Sequence, residues 1–143
     1  MSQDAVANEP PITELVAALY PALAKGDREA VRPLVAPDFV GTLTEGLPLG
    51  IGGVHRGRDE MMRNGWWAIG RAFDVRAEPS LWMSCPDGRL LVVGRYVGSA
   101  RESGTPIDAA FVHLWSAEAG QLTSVWQLTD SALFVRALER TDS

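Results

Sequence analysis

The sequence predicts an α+β fold with helices packed on one face of an antiparallel sheet. Three observations lead there. The first third carries apolar residues at helical spacing, the second half switches to two-residue alternation broken by turn signals, and a last helical segment closes the chain. At 143 residues, with 46% hydrophobic and 22% charged residues, the chain fits one globular domain able to bury a core. We place that domain at residues 12–139, between a disordered lead at 1–11 and a tail at 140–143.

Ile12, Leu15, Val16, Leu19 and Leu23 recur on one face of a first helix, which Pro21 kinks and "KGD" (25–27) stops, with Gly26 as C-cap. Asp27 caps a second short helix carrying Ala30, Val31, Leu34 and Val35, and Pro37 ends it. "DFVGTLT" reads as a short strand. "EGLPLGIGGVHRGRDEM" follows, and its five glycines and one proline make it a loop. A third helix starts near Arg58, with Asp59 and Glu60 at its positive end and Met62, Trp66, Ile69 and Phe73 as its apolar stripe. Four strands come next: "FDVRAEPSLWM", "RLLVVGRYVGSA", "IDAAFVHLW" and "LTSVWQLT". They are joined by turns at "PDG" and "AEAG" and a loop at "ESGTP". "SALFVRALE" is the closing helix.

Composition excludes several functions. A net charge of -5 argues against nucleic acid as the partner, because phosphate binding needs a basic stripe. No apolar run approaches the roughly 20 residues that span a bilayer, and the acidic, polar N-terminus is no signal peptide. The single cysteine, Cys85, rules out an internal disulfide and a thiolate metal cluster, and suits a reducing cytoplasm. His55 and His113 stand in unrelated contexts and make no metal motif. "GLPLGIGG" lacks the ending of a phosphate loop, and there is no G-x-S-x-G elbow. Lys25 is the only lysine beside abundant arginine, a bias that points to a GC-rich bacterial genome.

"ALYPALAKGDREAVRPLVAPDFV", "GVHRGRDEM" and "FVHLWSAEAGQLTSVWQLTDSALFVRAL" resemble, in turn, the opening helices, the loop into the third helix, and the closing hairpin and terminal helix of the nuclear-transport-factor-2-like superfamily, and within it the SnoaL-like branch of polyketide cyclases and small natural-product-pathway proteins. The resemblance covers residues 12–139. It implies a curved sheet wrapped against the helices as a cone, an internal pocket on the concave face, no cofactor, and a homodimer in which a second subunit covers the other face. Activity varies widely across such a fold. The general-base Asp of ketosteroid isomerases falls near Leu43, their oxyanion-stabilising Asp at Val112, and their helix-one Tyr near Leu19, one residue from Tyr20. The Arg-x-Asp strand pattern of limonene-type epoxide hydrolases matches "RYV" at 95–97, with Arg95 kept and Val97 in place of the acid. Their second Asp, and the acid–base Asp of SnoaL-like cyclases, falls at Gln127.

Strand residues alternate faces. By the resemblance, Val125, Gln127 and Thr129 are concave, as are Asp108, Ala110, Val112 and Leu114; Phe111, His113 and Trp115 are then convex. The expected catalytic set is Arg95 to orient an oxygen, Asp108 as acid or base, and Gln127 as a hydrogen-bonding group. Arg95 and Asp108 are equally readable as a plain salt bridge. Tyr20, Met62, Trp66, Val112, Val125 and Thr129 are the expected ligand-binding residues. His113 is expected to be a hydrogen-bonded structural residue near a subunit interface, and Asp130 or Ser131 a helix cap. The expected function is cyclisation, isomerisation or epoxide opening on a hydrophobic substrate of a bacterial pathway, with a non-catalytic carrier of such a molecule as the alternative.

Overall fold

The computed structural model describes residues 9–139. Helix α1 (Ile12–Lys25) buries Leu15, Val16, Leu19 and Tyr20, the face that its spacing marks as apolar. Gly26 ends it in the left-handed conformation at φ 65°, and its N–H bonds back to the last turn. Pro11, at the end of the expected lead, is the N-cap, and its carbonyl accepts from the Glu14 and Leu15 N–H groups. Asp27 caps α2 (Arg28–Val31) by accepting from the Ala30 N–H at 3.1 Å. The rest of the expected lead and tail, residues 1–8 and 140–143, lies outside the described residues.

The sheet has six strands: β1 (Val35–Leu43), β2 (Gly53–Arg56), β3 (Phe73–Ser84), β4 (Leu90–Ala100), β5 (Pro106–Glu118) and β6 (Gln121–Thr129). Their order is β2-β1-β6-β5-β4-β3, and every pairing is antiparallel except β1 with β6. The wholly antiparallel sheet expected from sequence is therefore mixed. Its first strand returns beside its last with the whole hairpin series between them, a pairing that no local pattern encodes. Helix α4 (Ser131–Leu138) follows β6.

Two boundaries differ from expectation. The second helix gives way to a 3₁₀ turn at Arg32–Leu34, so Val35 belongs to β1, and Pro37 lies inside that strand. Pro37 is tolerated because the pairing of β1 with β6 is interrupted between Val35 and Val40, where no ladder N–H is required. The glycine-rich loop contains β2, which pairs with β1 from Val40–Arg56 to Leu43–Gly53. Its glycine content hid a strand only four residues long.

The third helical region, α3, runs over residues 58–72 and is π-helical from Met61 to Trp66. The widened turn seats Met61 against two glycines: a Cβ on Gly41 or Gly65 would lie 2.4 or 2.8 Å from its sulfur. Trp66 then packs on Phe39 at a ring separation of 5.4 Å. The core between helices and sheet includes Leu19, Phe39, Met61, Phe73, Phe111 and Trp115. Among the described residues no helix is long and apolar enough to cross a membrane.

A bulge in β3 between Pro79 and Leu81 reverses the strand's alternation, so that Trp82 turns inward opposite Val92 and meets Tyr20 at 6.0 Å. Gly94 faces this bulge. A Cβ there would sit 2.4 Å from the Glu78 carbonyl oxygen and 2.7 Å from Pro79 Cα, both backbone atoms that cannot rotate away. Gly94→Ala should destabilise the fold by about 1–3 kcal/mol, the usual cost of overpacking. A lowered urea midpoint at unchanged slope checks it.

Candidate functional site

A cavity of about 680 Å³, including its open mouth, lies between the inner face of the sheet and helices α1 and α3. Its wall is mostly apolar: Leu23 from α1, Trp66 and Ile69 from α3, Val75 from β3, Trp115 from β5 and Val125 from β6. Among the described residues no Asp or Glu lines it. Its neutral polar groups are Tyr20, Tyr96, His113 and Gln127, which α1, β4, β5 and β6 bring together, and Arg76 of β3, paired with Glu78, also lines it.

These residues form one hydrogen-bonded chain. His113 is centred between two phenols, with Tyr20 Oη 2.8 Å from its Nδ1 and Tyr96 Oη 2.5 Å from its Nε2. The Trp115 indole N–H donates to Tyr20 Oη at 3.1 Å, and the Gln127 amide donates to Tyr96 Oη at 2.7 Å. The amide's orientation is set from the other side. The Thr44 backbone N–H, which can only donate, faces Gln127 Oε1 at 3.3 Å, so the NH₂ group faces Tyr96. Thr44 also accepts from the Thr129 N–H at 3.0 Å and donates to the Gln127 carbonyl at 3.1 Å, tying the end of β1 to β6. Phe111 stacks on His113 at 4.1 Å and holds the ring plane.

Burial decides the charge state of this chain. It pushes His113 down from 6.5 to about 3, so the imidazole is neutral at neutral pH. Burial also raises Tyr20 above its ordinary value, partly offset by the Trp115 hydrogen bond. Tyr96 is raised for the same reason, against the hydrogen bond from Gln127 and with a smaller upward push from Tyr20. The site is therefore two neutral phenols joined by a neutral imidazole, suited to moving protons without holding charge.

Of the residues expected from sequence, Tyr20, Trp66, Val125 and Gln127 line the cavity. Thr129 lies on the same sheet face but lines a smaller hollow behind Tyr96 and Gln127, closed by Leu47, Ile51 and Phe134. Met62 lines a surface depression with Arg28 and Arg63, away from the cavity. The expected facing of β5 is reversed. His113 pairs with Gln127, Phe111 with Thr129 and Trp115 with Val125, and directly paired residues share a face. Phe111, His113 and Trp115 are thus concave, and Val112 points outward with Leu114. Asp108 pairs with Val97 and Arg95 with Ala110, which puts both charges on the outer face. There they form an ion pair with side chains 54% and 66% exposed. Such an exposed pair contributes about 0–1 kcal/mol. Water solvates both groups there, whereas the apolar wall would not. Asp130 occupies the N-cap position of α4 without a side-chain bond; its backbone carbonyl accepts from the Leu133 N–H at 3.2 Å.

His113, Tyr96 and Trp115 are the members of the hydrogen-bonded chain that sequence reasoning missed as site residues, and Leu23, Leu43, Ile69, Val75 and Arg76 are further lining residues it did not name as such. Alternation divides β5 into two sets but does not say which faces inward. One signal was available: the set holding Phe111, His113 and Trp115 is bulky, whereas the other begins with Asp108 and Ala110. Among the described residues no group of three or more His, Cys, Asp or Glu side chains is placed to hold a metal ion.

Comparison with known proteins gives a consistent family. The profile of the SnoaL-like domain matches residues 16–125. A search of curated proteins finds no match. Among solved structures, an NTF2-like protein from Burkholderia thailandensis is 28% identical, with a TM-score of 0.76 over 88% of this chain and 95% of that one. TerC, co-crystallised with polyporic acid, is 23% identical, with a TM-score of 0.78 over 90% of this chain and 98% of that one. A putative polyketide cyclase from Sinorhizobium meliloti is 23% identical, with a TM-score of 0.64 over 80% of this chain and 94% of that one.

The lowered His113 value has a sign that can be checked. Above about pH 6.5 the ring is neutral in both folded and unfolded chains and adds no pH dependence. Below it the unfolded chain takes up a proton that the folded chain refuses until about pH 3, so stability falls with pH through this window. The loss should approach about 1.4 kcal/mol per pH unit. Urea denaturation of wild type and His113→Gln between pH 7 and pH 4.5 isolates this part, and the variant should show the shallower acid decline.

Proposed function

The chain belongs to the SnoaL-like domain family, and from that premise we propose that it is a cofactor-free enzyme of bacterial natural-product metabolism. It acts on a hydrophobic, polyketide-like molecule by cyclisation or isomerisation. The observation that carries this reading is a mostly apolar cavity whose neutral polar groups form one hydrogen-bonded chain, Trp115–Tyr20–His113–Tyr96–Gln127. An apolar wall with a few convergent polar groups is the usual form of a small-molecule site. Trp66 and Trp115 offer flat surfaces to an unsaturated ligand, and Tyr96 and Tyr20 offer hydroxyls to its oxygens. Gln127 acts by orienting Tyr96, since an amide cannot shuttle a proton near neutral pH. Epoxide opening has the least support of the three expected reactions, because the cavity wall has no carboxylate.

That same absence of carboxylates favours a second reading, a non-catalytic carrier that shelters a reactive intermediate. Saturable quenching of tryptophan emission by polyporic acid, used as a probe, should occur in either case and should weaken about tenfold or more in Trp66→Ala. Incubation with aromatic polyketide intermediates, followed by mass-resolved chromatography, separates the two. Conversion lost in Tyr96→Phe supports the enzyme, whereas binding without conversion supports the carrier. Asp108→Asn should leave probe binding unchanged, because Asp108 sits on the outer face.

We also propose that the protein is a cytoplasmic homodimer joined through that outer face. Trp126 and Leu128 are 46% and 44% exposed there, beside the partly buried Val112 and Leu114, and together they form an apolar patch on that face. Wild type should sediment as a dimer at micromolar concentration, and the double substitution Trp126→Asp, Leu128→Asp as a monomer.

A further inference from the structure

A count of hydrogens in the Tyr20–His113–Tyr96 chain leads further. A neutral imidazole has one N–H, so it donates to one tyrosine and accepts from the other. The tyrosine that donates to His113 has used its only hydrogen. The other accepts an N–H from His113 and a second from its outer partner, Trp115 or Gln127. Its own hydroxyl hydrogen then has no acceptor within the chain. One hydroxyl hydrogen is therefore always in surplus, and the tautomer of His113 decides which tyrosine holds it. With the proton on Nδ1 it belongs to Tyr20; with the proton on Nε2 it belongs to Tyr96. Both tyrosines line the cavity. The outer partners make the arrangement nearly symmetric, since each phenol oxygen receives one fixed N–H donor from the protein.

We infer that Tyr20, His113 and Tyr96 form a neutral proton relay that interconverts the keto and enol forms of an enolisable, unsaturated carbonyl compound in the cavity. In one direction Tyr20 passes its surplus hydrogen to the substrate carbonyl oxygen, forming an O–H bond. His113 Nδ1 returns a proton to Tyr20, and Tyr96 passes its proton to Nε2. Tyr96 takes the proton released when the substrate C–H bond breaks, and that electron pair becomes the enol double bond. The substrate gains one hydrogen and loses one. The relay ends in its other tautomer and is reset by the reverse sequence or by water at the open mouth. No step leaves a charge behind, in keeping with a wall that has no carboxylate and with phenols whose ionisation burial opposes. The flexible element is the tautomer, not the backbone, because Phe111, Trp115 and the Thr44-anchored Gln127 hold the three rings in place.

The relay rests on the reading of the cavity as a small-molecule site, and the test separates the two. The probe is 1-phenylbutane-1,3-dione, whose enol absorbs where its keto form does not. Binding is read by tryptophan quenching and interconversion by relaxation of the enol absorbance. Wild type should accelerate relaxation about a hundredfold over buffer, the lower range of positioned acid–base catalysis. Tyr20→Phe and Tyr96→Phe should each abolish most of this while still binding the probe, and the double variant should be no slower than either single one. Bound probe without acceleration, or a single variant that keeps its rate, overturns the relay and leaves the site standing. Absence of quenching by both this probe and polyporic acid overturns the site, and the relay with it. The nitrogen resonances of His113 in the ligand-free protein give a reading that needs no variant. Shifts averaged between two neutral tautomers support the relay, and a single fixed tautomer or an imidazolium overturns it.

Discussion

The neutral imidazole of His113 is the constraint on which the site depends. It is 5% exposed, and a ring buried so deeply must have both nitrogens satisfied or lose the desolvation energy of each. Tyr20 and Tyr96 satisfy them, and they come from a helix and a strand far apart in the chain. Trp115 and Gln127 then fix the tyrosines, and Thr44 fixes Gln127. One buried polar residue thereby sets the relative positions of α1, the three strands β4, β5 and β6, and the end of β1. Such fully satisfied networks specify a unique arrangement, because any shift leaves a partner unpaired in a low dielectric.

The division of charge between the two sheet faces follows from the same energetics. The cavity is lined by aromatic and aliphatic side chains, a few neutral polar groups and Arg76. The Arg95–Asp108 pair of β4 and β5 is placed outside, and Arg76 of β3, which lines the cavity, is held by Glu78. A carboxylate inside would have to offset its desolvation, and among the described residues none lines the cavity. Chemistry in this cavity consequently falls to phenols and imidazole, groups that exchange protons while staying neutral.

Much of the fold was legible in the chain because local signals agreed. Gly26 and Asp27 marked the junction of the first two helices, "PDG" and "AEAG" marked the hairpins, and alternation marked the four later strands. The exceptions have physical causes. Pro37 suggested a helix end but sits where the β1–β6 ladder is interrupted, and five glycines concealed β2. The site was less legible. Tyr20, Trp66, Val125 and Gln127 were placed in the cavity from spacing and resemblance, yet the polar centre was assigned to Arg95 and Asp108 instead of His113 and Tyr96. A two-residue period has two phases, and an error in phase exchanges every side chain of a strand between faces at once.

The sequence by itself determined the α+β class, the element order apart from β2, the caps at Gly26 and Asp27, the hairpin turns, and the two alternating sets on the later strands, because these rest on neighbours within a few residues. Only the tertiary structure decided which set of β5 faces inward, that β1 lies parallel to β6, and that Tyr20 and Tyr96 meet on either side of His113. Those outcomes depend on which arrangement pairs every buried polar group across β1, β4, β5, β6 and α1 together, and contacts between residues as distant as Tyr20 and His113 leave no mark on the local pattern of either.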